Sequence, residues 1–407
     1  MIDLNTEFDD ITPDDWKALV SQFLKGKPFE TLIHETEDGI AKGPLATLED
    51  RPETIAPLFR LETELTEGRP WHIQTPVSDK NLGFANTQLL EDLKGGASAA
   101  RISLGDKGVP IRNSNDLKRL FDQVHMDLIP ISLAPHSDTS IVELFSGYRA
   151  SYINLGLTPQ TPKLKNLIKK FPKSWRAVTI DGASVHDNGA TDAQELAYMA
   201  TNLAFVFRQL GDLAPEHICV ELATHQDAHL SIAKLRAARR IYNRIAECFG
   251  HKQARLNLHV ITSNRMMQKI DPWTNMLRVM SAGFGAVIGG ADYITTRPFT
   301  ETLGSATPFG YRVARNMQLM MMEESHLGHV QDAAYGSYHH EKLTDQLAQK
   351  AWSEFQTIES EGGLENLSAF NTRVQNAVKA RKDRNSPILG VSLHPTDDIR
   401  KAEIRGN

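Results

Sequence analysis

The sequence predicts an α/β protein, an eight-stranded parallel β/α (TIM) barrel with an N-terminal arm and a C-terminal helical extension. From residue 69 onward, eight short apolar segments recur, and nearly all are separated by an interval that is apolar at helical spacing. Hydrophobic residues make up 41% of the 407-residue chain, which permits a sizeable core. Eight alternating units fit a closed barrel of about 250 residues better than an open doubly wound sheet, which stays the alternative fold.

The segment 217–250 is the clearest copy of the repeating unit. Residues 217–223 (HICVELA) are short, mostly apolar and partly β-branched, which is typical of a buried strand. A polar turn follows at 224–228, and apolar side chains then recur every three or four residues up to Gly250, where the predicted helix ends. Its opposite face carries arginines, which indicates a solvated face; the alternative is a bidentate contact with a carboxylate or phosphate. These arginines are Arg236, Arg240 and Arg244.

The remaining units follow the same alternation. The predicted strands cover residues 71–77, 99–105, 128–134, 152–157, 177–183, 217–223, 258–263 and 292–299. The helices predicted between them cover residues 86–94, 114–123, 140–149, 164–171, 193–210, 228–249 and 272–284. Four glycines in GFGAVIGG (283–290) lead towards the last strand, where small residues favour close packing over a phosphate-binding loop.

This alternation divides the chain into three regions. Residues 1–68 do not repeat the unit and form the N-terminal arm, with a short helix at 14–23 and a hairpin whose turn lies at 36–39. Residues 69–342 form the barrel, and residues 343–407 form the C-terminal helices and tail.

The composition argues against several functional classes. A net charge of −5 gives no electrostatic signature of nucleic-acid binding. No apolar run reaches the ~18 residues of a membrane helix, and the acidic N-terminus MIDLNTEFDD is unlike a signal sequence, so we expect a cytoplasmic protein. Two cysteines, Cys219 and Cys248, cannot form a disulfide framework or a four-ligand zinc site, and we expect both to be ordinary buried residues.

Binding and catalytic groups of a β/α barrel lie at the carboxyl ends of its strands. The polar residues at those positions form a short set of candidates. They are Gln74, Thr75, Asp106, Lys107, His136, Asp181, Ser184, His186, Thr224, His225, Asp227, Thr262, Ser263, Asn264, Arg265 and Arg297. His259 lies inside a strand, where a core histidine is the first interpretation.

Two local patterns suggest chemistry, and both are weak. His225 and His229 in HQDAH have the spacing of two zinc ligands, but a glutamine stands where a metalloprotease has its glutamate base, so we predict no metal site. Ser184, His186 and Asp187 suggest a nucleophile with its base, although catalytic triads are assembled from separate elements of a fold. The residues alone therefore predict a barrel protein with an unidentified ligand.

Six motifs occur in one order along the chain: TEDGIAKGPL, RPW, IAKLRAARRIY, TSNRMMQKIDPWTNMLR, GGADYITTRPF and RNMQLMMMEESHLGHVQDAAYGSY. With them, the chain resembles the methylmalonyl-CoA mutase family from about residue 10 to about residue 365. The resemblance implies a barrel that binds an acyl-CoA thioester along its axis and a separate C-terminal domain that carries adenosylcobalamin. Homolysis of the cofactor's cobalt–carbon bond starts a radical rearrangement of the carbon skeleton, while the protein orients and encloses the reactants.

The sequence departs from the catalytic members of that family at their reaction-site positions. Those members resemble RPWTIRQYAGF, with an arginine and a tyrosine facing the substrate, where this chain has Gln74 and Pro76. They have Ser-Gly-Tyr-His after the fifth strand, with the histidine bonded to the thioester carbonyl, where this chain has Ser184. They have His-Cys-Gln-Thr-Ser at the seventh strand, where this chain has Ile261 for the glutamine. The joint loss of tyrosine, histidine and glutamine indicates a degenerate site without a catalytic residue.

Four positions keep residues of the family's substrate site and are the candidates for contact with acyl-CoA. They are Arg236, His259, Thr262 and Ser263. The chain ends where the family's cobalamin domain would begin, and that domain's Asp-x-His-x-x-Gly motif does not occur in it; the nearest string, residues 227–232, lacks the glycine. The resemblance therefore implies no cofactor on this chain and adenosylcobalamin on a partner.

These departures are similar to those of the small, non-catalytic subunit of heterodimeric bacterial methylmalonyl-CoA mutases. The resemblance implies a large subunit that holds substrate and cobalamin, with this chain supporting it in the interconversion of methylmalonyl-CoA and succinyl-CoA in propionate metabolism. Two alternatives stay open. One is the substrate-binding barrel of an acyl-CoA mutase whose cobalamin domain is a separate chain, and the other is a repurposed ligand-binding barrel without a mutase partner.

Overall fold

Two sheets are present in the part of the chain that the computed structural model describes, residues 11–58, 69–105, 108–148, 150–384, 386–395 and 399–406. In the N-terminal arm, β1 (His34–Glu35) and β2 (Ala41–Lys42) pair as an antiparallel hairpin. Eight parallel strands form the second sheet: β3 (His72–Val77), β4 (Ala99–Ile102), β5 (Ile131–Leu133), β6 (Ile153–Leu157), β7 (Arg176–Asp181), β8 (Ile218–Thr224), β9 (Leu258–Thr262) and β10 (Tyr293–Thr295).

The parallel sheet closes into a barrel in the order β10-β3-β4-β5-β6-β7-β8-β9. Tyr293 of β10 lies in register with His72 of β3, which joins the last strand to the first. The predicted barrel is confirmed, and each predicted strand overlaps one observed strand. A proline explains one shifted boundary, because proline cannot donate a backbone hydrogen bond: β5 begins only after Pro130. The last strand, β10, ends at Thr295, and the backbone N–H of Arg297 donates to the side chain of Thr262.

Helices surround the barrel and form both extensions. They are α1 (Pro13–Phe23), α2 (Leu82–Lys94), α3 (Ser114–Leu120), α4 (Thr139–Leu144), α5 (Leu164–Ile168), α6 (Gly182–Asp187), α7 (Asp192–Leu210), α8 (Ala214–His217), α9 (Ala228–Cys248), α10 (Thr274–Ile288), α11 (Pro308–Leu319), α12 (Tyr338–Ser360) and α13 (Ser368–Arg384). A π-helical turn, Met320–Glu324, extends α11.

Side-chain caps fix where the two long helices beside the carboxyl-end face begin. Thr191 and Gln194 form a capping box at the start of α7, each side chain accepting a backbone hydrogen bond from the other residue. Asp227 caps α9 by accepting a hydrogen bond from the backbone of Leu230 at 3.1 Å. These caps fix the first turn of α7, which carries Asp192 and Glu195, and the first turn of α9, which carries His229.

The glycine-rich segment brings α10 close to α9. A Cβ atom on Gly285 would lie 2.7 Å from the Cβ of Ser231 and 3.3 Å from the carbonyl oxygen of Ala228. Non-bonded carbon atoms do not approach that closely without strain, so the backbones can meet only where residue 285 has no side chain. The prediction of close packing is confirmed.

The arginine stripe of α9 corrects one expectation. Arg236 is only 1% exposed, and its guanidinium bonds to Asp332 and to Glu341 of α12. The prediction of a solvated face is wrong for this residue because α12 packs over α9 and covers it. Arg244, further along the helix, is exposed as predicted.

Two expectations from composition have different outcomes. Cys219 is buried in β8 as expected, whereas Cys248 is exposed because it is the last residue of α9. Among the described helices, none combines the length and the apolar character needed to cross a membrane.

The domain boundaries stay predictions. All barrel strands lie within residues 69–342, but α12 begins at Tyr338 and so crosses the boundary drawn at 342. Two candidates at the carboxyl end of β4, Asp106 and Lys107, lie outside the described residues.

Candidate functional site

A bidentate ion pair crosses the lumen of the barrel. Arg101 on β4 donates from Nε and Nη2 to the two carboxylate oxygens of Glu221 on β8, both at 2.6 Å. Three strands separate β4 from β8 in either direction around the barrel, so the two residues come from opposite walls. Burial alone would lower the pKa of Arg101, but the carboxylate of Glu221 outweighs it and raises that pKa. The middle of the lumen is therefore occupied by two oppositely charged side chains that bond to each other.

Aromatic rings fill the lumen at the amino ends of the strands. The ring of Tyr293 stacks on His259 at 4.2 Å and on His72 at 4.5 Å, and these residues belong to the adjacent strands β10, β9 and β3. Tyr152, directly before β6 on the opposite wall, stacks on Tyr293 at 5.9 Å between ring centroids. Rings therefore span the lumen below the ion pair.

Burial keeps the two stacked histidines neutral. It lowers the pKa of His72 to about 4. Burial, together with the positive charges of Arg176 and Arg101, lowers the pKa of His259 well below its ordinary value. His259 is therefore a neutral core histidine packed on a tyrosine, as its position inside a strand suggested.

Polar residues at the carboxyl ends of β9 and β10 bond to one another. The backbone N–H of Arg297 donates to the hydroxyl of Thr262 at 2.9 Å, and its Nε donates to the carbonyl oxygen of Thr262 at 2.8 Å. The hydroxyl of Ser263 donates to Asp187 at 3.1 Å. Both retained hydroxyls are therefore already hydrogen-bonded within the chain.

The structure pairs His186 with Ser263 and not with Ser184. Nε2 of His186 lies 3.1 Å from the hydroxyl of Ser263, which comes from the loop after β9. Ser184 is exposed on α6, and its backbone N–H donates to Asp181 at 2.9 Å. The adjacent Ser184, His186 and Asp187 thus do not assemble as a nucleophile with its base.

A buried charge network lies beside these residues, and sequence reasoning missed most of it. Lys234 of α9 donates to Asp192 at 2.8 Å and to Glu195 at 2.7 Å, both on α7. His225 lies 3.0 Å from Asp192, and His186 lies 3.2 Å from Glu195. Burial alone would lower the pKa of Lys234, but the two carboxylates outweigh it and raise that pKa.

Three residues of this network have the spacing of metal ligands, but a lysine already neutralises the two carboxylates among them. His186, Asp192 and Glu195 place ligand atoms within 4.8 Å of one another. The ammonium of Lys234 bonds to both carboxylates and already supplies the positive charge that a metal ion would bring. The only sequence signal was a lysine inside the apolar run of α9 and two acidic residues in the first turn of α7, where acidic residues are common in any helix.

A cleft of about 810 Å³ opens beside the carboxyl-end face. Its walls come from the hairpin turn, the loops after β8 and β9, α10 and residues 386–389 of the C-terminal segment. Arg381 donates to both carboxylate oxygens of Glu37, and Arg265 lies 3.7 Å from the same carboxylate. The N-terminal arm and the C-terminal extension therefore meet over the barrel loops, a contact that the sequence did not predict.

Comparison of the sequence with known proteins identifies the family of this chain. The family model described as methylmalonyl-CoA mutase matches residues 161–392. The methylmalonyl-CoA mutase small subunit of Streptomyces virginiae is 34% identical to this chain, over 99% of this chain and 73% of that protein. The chain belongs to the methylmalonyl-CoA mutase family.

Further mutase relatives have the same subunit type. The probable methylmalonyl-CoA mutase small subunit of Mycobacterium bovis is 34% identical, over 76% of this chain and 56% of that protein. The methylmalonyl-CoA mutase small subunit of Propionibacterium freudenreichii subsp. shermanii is 31% identical, over 99% of this chain and 72% of that protein. The chain is thus of the small-subunit type, and it spans about half to three quarters of the length of these relatives.

Two of the positions that the sequence predicts to be substituted reaction-site positions serve packing in this chain. Gln74 is buried, and its side-chain oxygen accepts a hydrogen bond from Thr295 at 2.9 Å. Ile261 packs with Ala183 and Ala223 in a small apolar cluster. An apolar side chain there cannot hydrogen-bond a thioester, and the degenerate site stays a prediction.

Pro76 is another of the predicted reaction-site positions, as is Ser184. It is half-buried in β3, in register with Arg101 of β4. A proline at a tyrosine position supplies neither a hydroxyl nor a backbone N–H.

The four retained positions are not brought together in one open site. Arg236 bonds outward to α12, His259 packs in the lumen, and the Thr262 and Ser263 hydroxyls bond to neighbouring loops. Their contact with acyl-CoA stays a prediction.

Proposed function

We propose that this chain is the small, non-catalytic subunit of a heterodimeric adenosylcobalamin-dependent methylmalonyl-CoA mutase. A large catalytic subunit would interconvert methylmalonyl-CoA and succinyl-CoA, and this chain would support it in the cytoplasm. Relatives named as small subunits support the proposal. The observation that carries it is the Arg101–Glu221 ion pair across the lumen.

The ion pair blocks the path that a thioester would take along the barrel axis. A CoA arm passing through the lumen would have to separate Arg101 from Glu221, whose side chains are only 11% and 5% exposed. Breaking a buried pair in this way costs about 3–5 kcal/mol, and each charge would need a new partner. Below the pair, the rings of Tyr152 and Tyr293 would also have to separate. The lumen is therefore built as a core and not as a substrate channel.

The chain's own residues do not fit adenosylcobalamin. Asp227 and His229 come nearest to the family's cobalamin-ligand motif, but Asp227 pairs with Lys42 and caps α9. Nδ1 of His229 lies 3.0 Å from Nε2 of His340. We accordingly place the cofactor on the partner, where it would supply the radical chemistry. The small subunit would act by binding the folded partner and stabilising it.

Native purification from the source cells tests this proposal. The chain is isolated with its partner, the intact masses are determined, and isomerisation of methylmalonyl-CoA with added adenosylcobalamin is assayed before and after the subunits are separated. We expect a stoichiometric large partner, activity in the complex, and no activity in this chain alone.

Two results would contradict the proposal. Isomerisation by the isolated chain would show that its site is catalytic. A cobalamin-carrying partner of only ~15 kDa, the size of a single domain, would show that this barrel holds the substrate, as in the alternative of a split mutase.

A further inference from the structure

Three histidines cluster where α9 and α12 begin. His229 lies in the first turn of α9, and His339 and His340 lie in the first turn of α12. Their ring centroids are separated by 5.4 Å (His229 to His339), 5.1 Å (His229 to His340) and 5.7 Å (His339 to His340). His229 is exposed and the other two are half-buried, so an ion from solution can reach all three.

The ring separations match those of imidazoles around one tetrahedral metal ion, although the three rings do not place one nitrogen each within 4.8 Å of one another. With metal–nitrogen bonds of about 2.1 Å and tetrahedral angles, the ring centroids of two ligands lie roughly 5 Å apart. Nδ1 of His229 and Nε2 of His340 already face each other at 3.0 Å, close to the roughly 3.4 Å between two nitrogen ligands of such an ion. Closing the site requires a rotation of the half-buried His339 ring.

The surroundings hold the ligands in the right orientation and protonation state. The hydroxyl of Ser337 lies 2.9 Å from Nδ1 of His340, which directs the opposite nitrogen of that ring to His229. Burial, followed by the positive charge of His229, lowers the pKa of His340 to about 4. Burial also lowers the pKa of His339. The neutral imidazole is the form in which histidine binds metals.

The three cationic side chains near the cluster each have a carboxylate partner, and Lys342 bonds to Asp50. Arg236 is neutralised by Asp332 and Glu341, and Lys42 is neutralised by Asp227. We propose that His229, His339 and His340 form a binding site for a divalent transition metal ion of the zinc class, which ties α9 to α12. Imidazole is a preferred ligand of zinc, and a water molecule would complete a tetrahedral set of four.

The site differs from the one that the sequence spacing suggested. His225 and His229 have the spacing of zinc ligands, but His225 points to Asp192, 3.0 Å away. The partners of His229 come from α12, more than 100 residues further along the chain.

Zinc binding by the full chain tests the proposal. Metal-free protein is titrated with Zn²⁺ in competition with a chromophoric chelator, and the melting temperature is followed as zinc is added. We expect one ion per chain and a melting temperature that rises with zinc. His229→Ala should weaken binding by roughly 100-fold, and Ser337→Ala, which loses only the orienting contact, by about tenfold.

A second histidine pair provides the control. His326 and His329 stack at 4.9 Å in the loop before α12, and no third histidine of the described residues is in ring contact with them. The double variant His326→Ala/His329→Ala should bind zinc as tightly as the wild type. Absence of zinc binding by folded wild-type protein, or equal binding by the His229→Ala variant, would overturn the proposal. Because His229 is exposed, its replacement leaves the fold intact, and circular dichroism verifies this.

Discussion

Two arginine–glutamate pairs with similar hydrogen bonds lie in very different parts of the molecule. Arg101 and Glu221 form a bidentate pair in the lumen, and Arg381 and Glu37 form one at the rim of the cleft. The first pair is 11% and 5% exposed, and the second is 27% and 35% exposed. Both pairs are bidentate, so we attribute a difference in their contribution to the free energy of unfolding to their surroundings.

The surroundings decide what each pair does. In the lumen, neither charge can be hydrated, so each is tolerated only because the other is present. At the rim, water can solvate either side chain, and the attraction is weak. The lumen pair therefore enforces a filled barrel, whereas the rim pair only joins the arm to the C-terminal extension.

Breaking the lumen pair should have the largest effect. Arg101→Met leaves Glu221 as a buried carboxylate without its counter-ion, so the free energy of unfolding should fall by about 3–5 kcal/mol. Urea denaturation at pH 7, followed by circular dichroism, measures this change.

A double variant separates the loss of the pair from the loss of packing. Arg101→Met/Glu221→Leu replaces both charges by apolar side chains, and most of the lost stability should return, because such replacements of a buried pair are often neutral or stabilising. If the double variant were as unstable as the single variant, lost side-chain packing, and not the unpaired charge of Glu221, would cause the loss of stability.

Acid should destabilise the lumen next, through its neutral histidines. His72 has a pKa of about 4 in the folded chain and about 6.5 when unfolded. Between these values the unfolded chain binds more protons, so stability is fully present above pH 6.5 and is lost as the pH falls towards 4. Lowering the pH from 7.5 to 5 should cost about 2 kcal/mol through His72 alone, measured as the pH dependence of unfolding.

Variants of His72 and of an exposed histidine isolate this effect. His72→Phe keeps a ring against Tyr293 but cannot titrate, so its stability should fall less steeply with acid than that of the wild type. His125→Gln, at an exposed position, should keep the wild-type slope. Equal slopes for the wild type and His72→Phe would show that other groups cause the acid loss.

The fold could be predicted because its signal is local. Strand and helix periodicities are properties of short segments, and the eight alternating units suffice to specify a barrel. Errors arose where one residue overrides the pattern, as Pro130 does at the start of β5. Burial of Arg236 was missed because it depends on α12, which packs on α9 from more than 100 residues away.

The candidate site could be predicted only in part. Its position at the carboxyl ends of the strands follows from the fold. The sequence predicts Gln74 and Ile261 as substituted positions because the motifs around them resemble those of a known family. The Arg101–Glu221 pair joins residues 120 positions apart, which no local pattern reveals. A single charge in each of two apolar strands was the available signal, because a buried charge requires a partner.

Breaking the rim pair should have the smallest effect and so completes the comparison. Arg381→Met should lower the free energy of unfolding by less than about 1 kcal/mol, because water can solvate Glu37 and Arg265 stays 3.7 Å from it. The loss should shrink further in high salt, which screens exposed charges. Lys382→Met, at the exposed neighbouring position, is the matched control and should have almost no effect. If Arg381→Met were as costly as Arg101→Met, the contact between arm and C-terminal extension would be part of the core, and burial would not explain the difference between the two pairs.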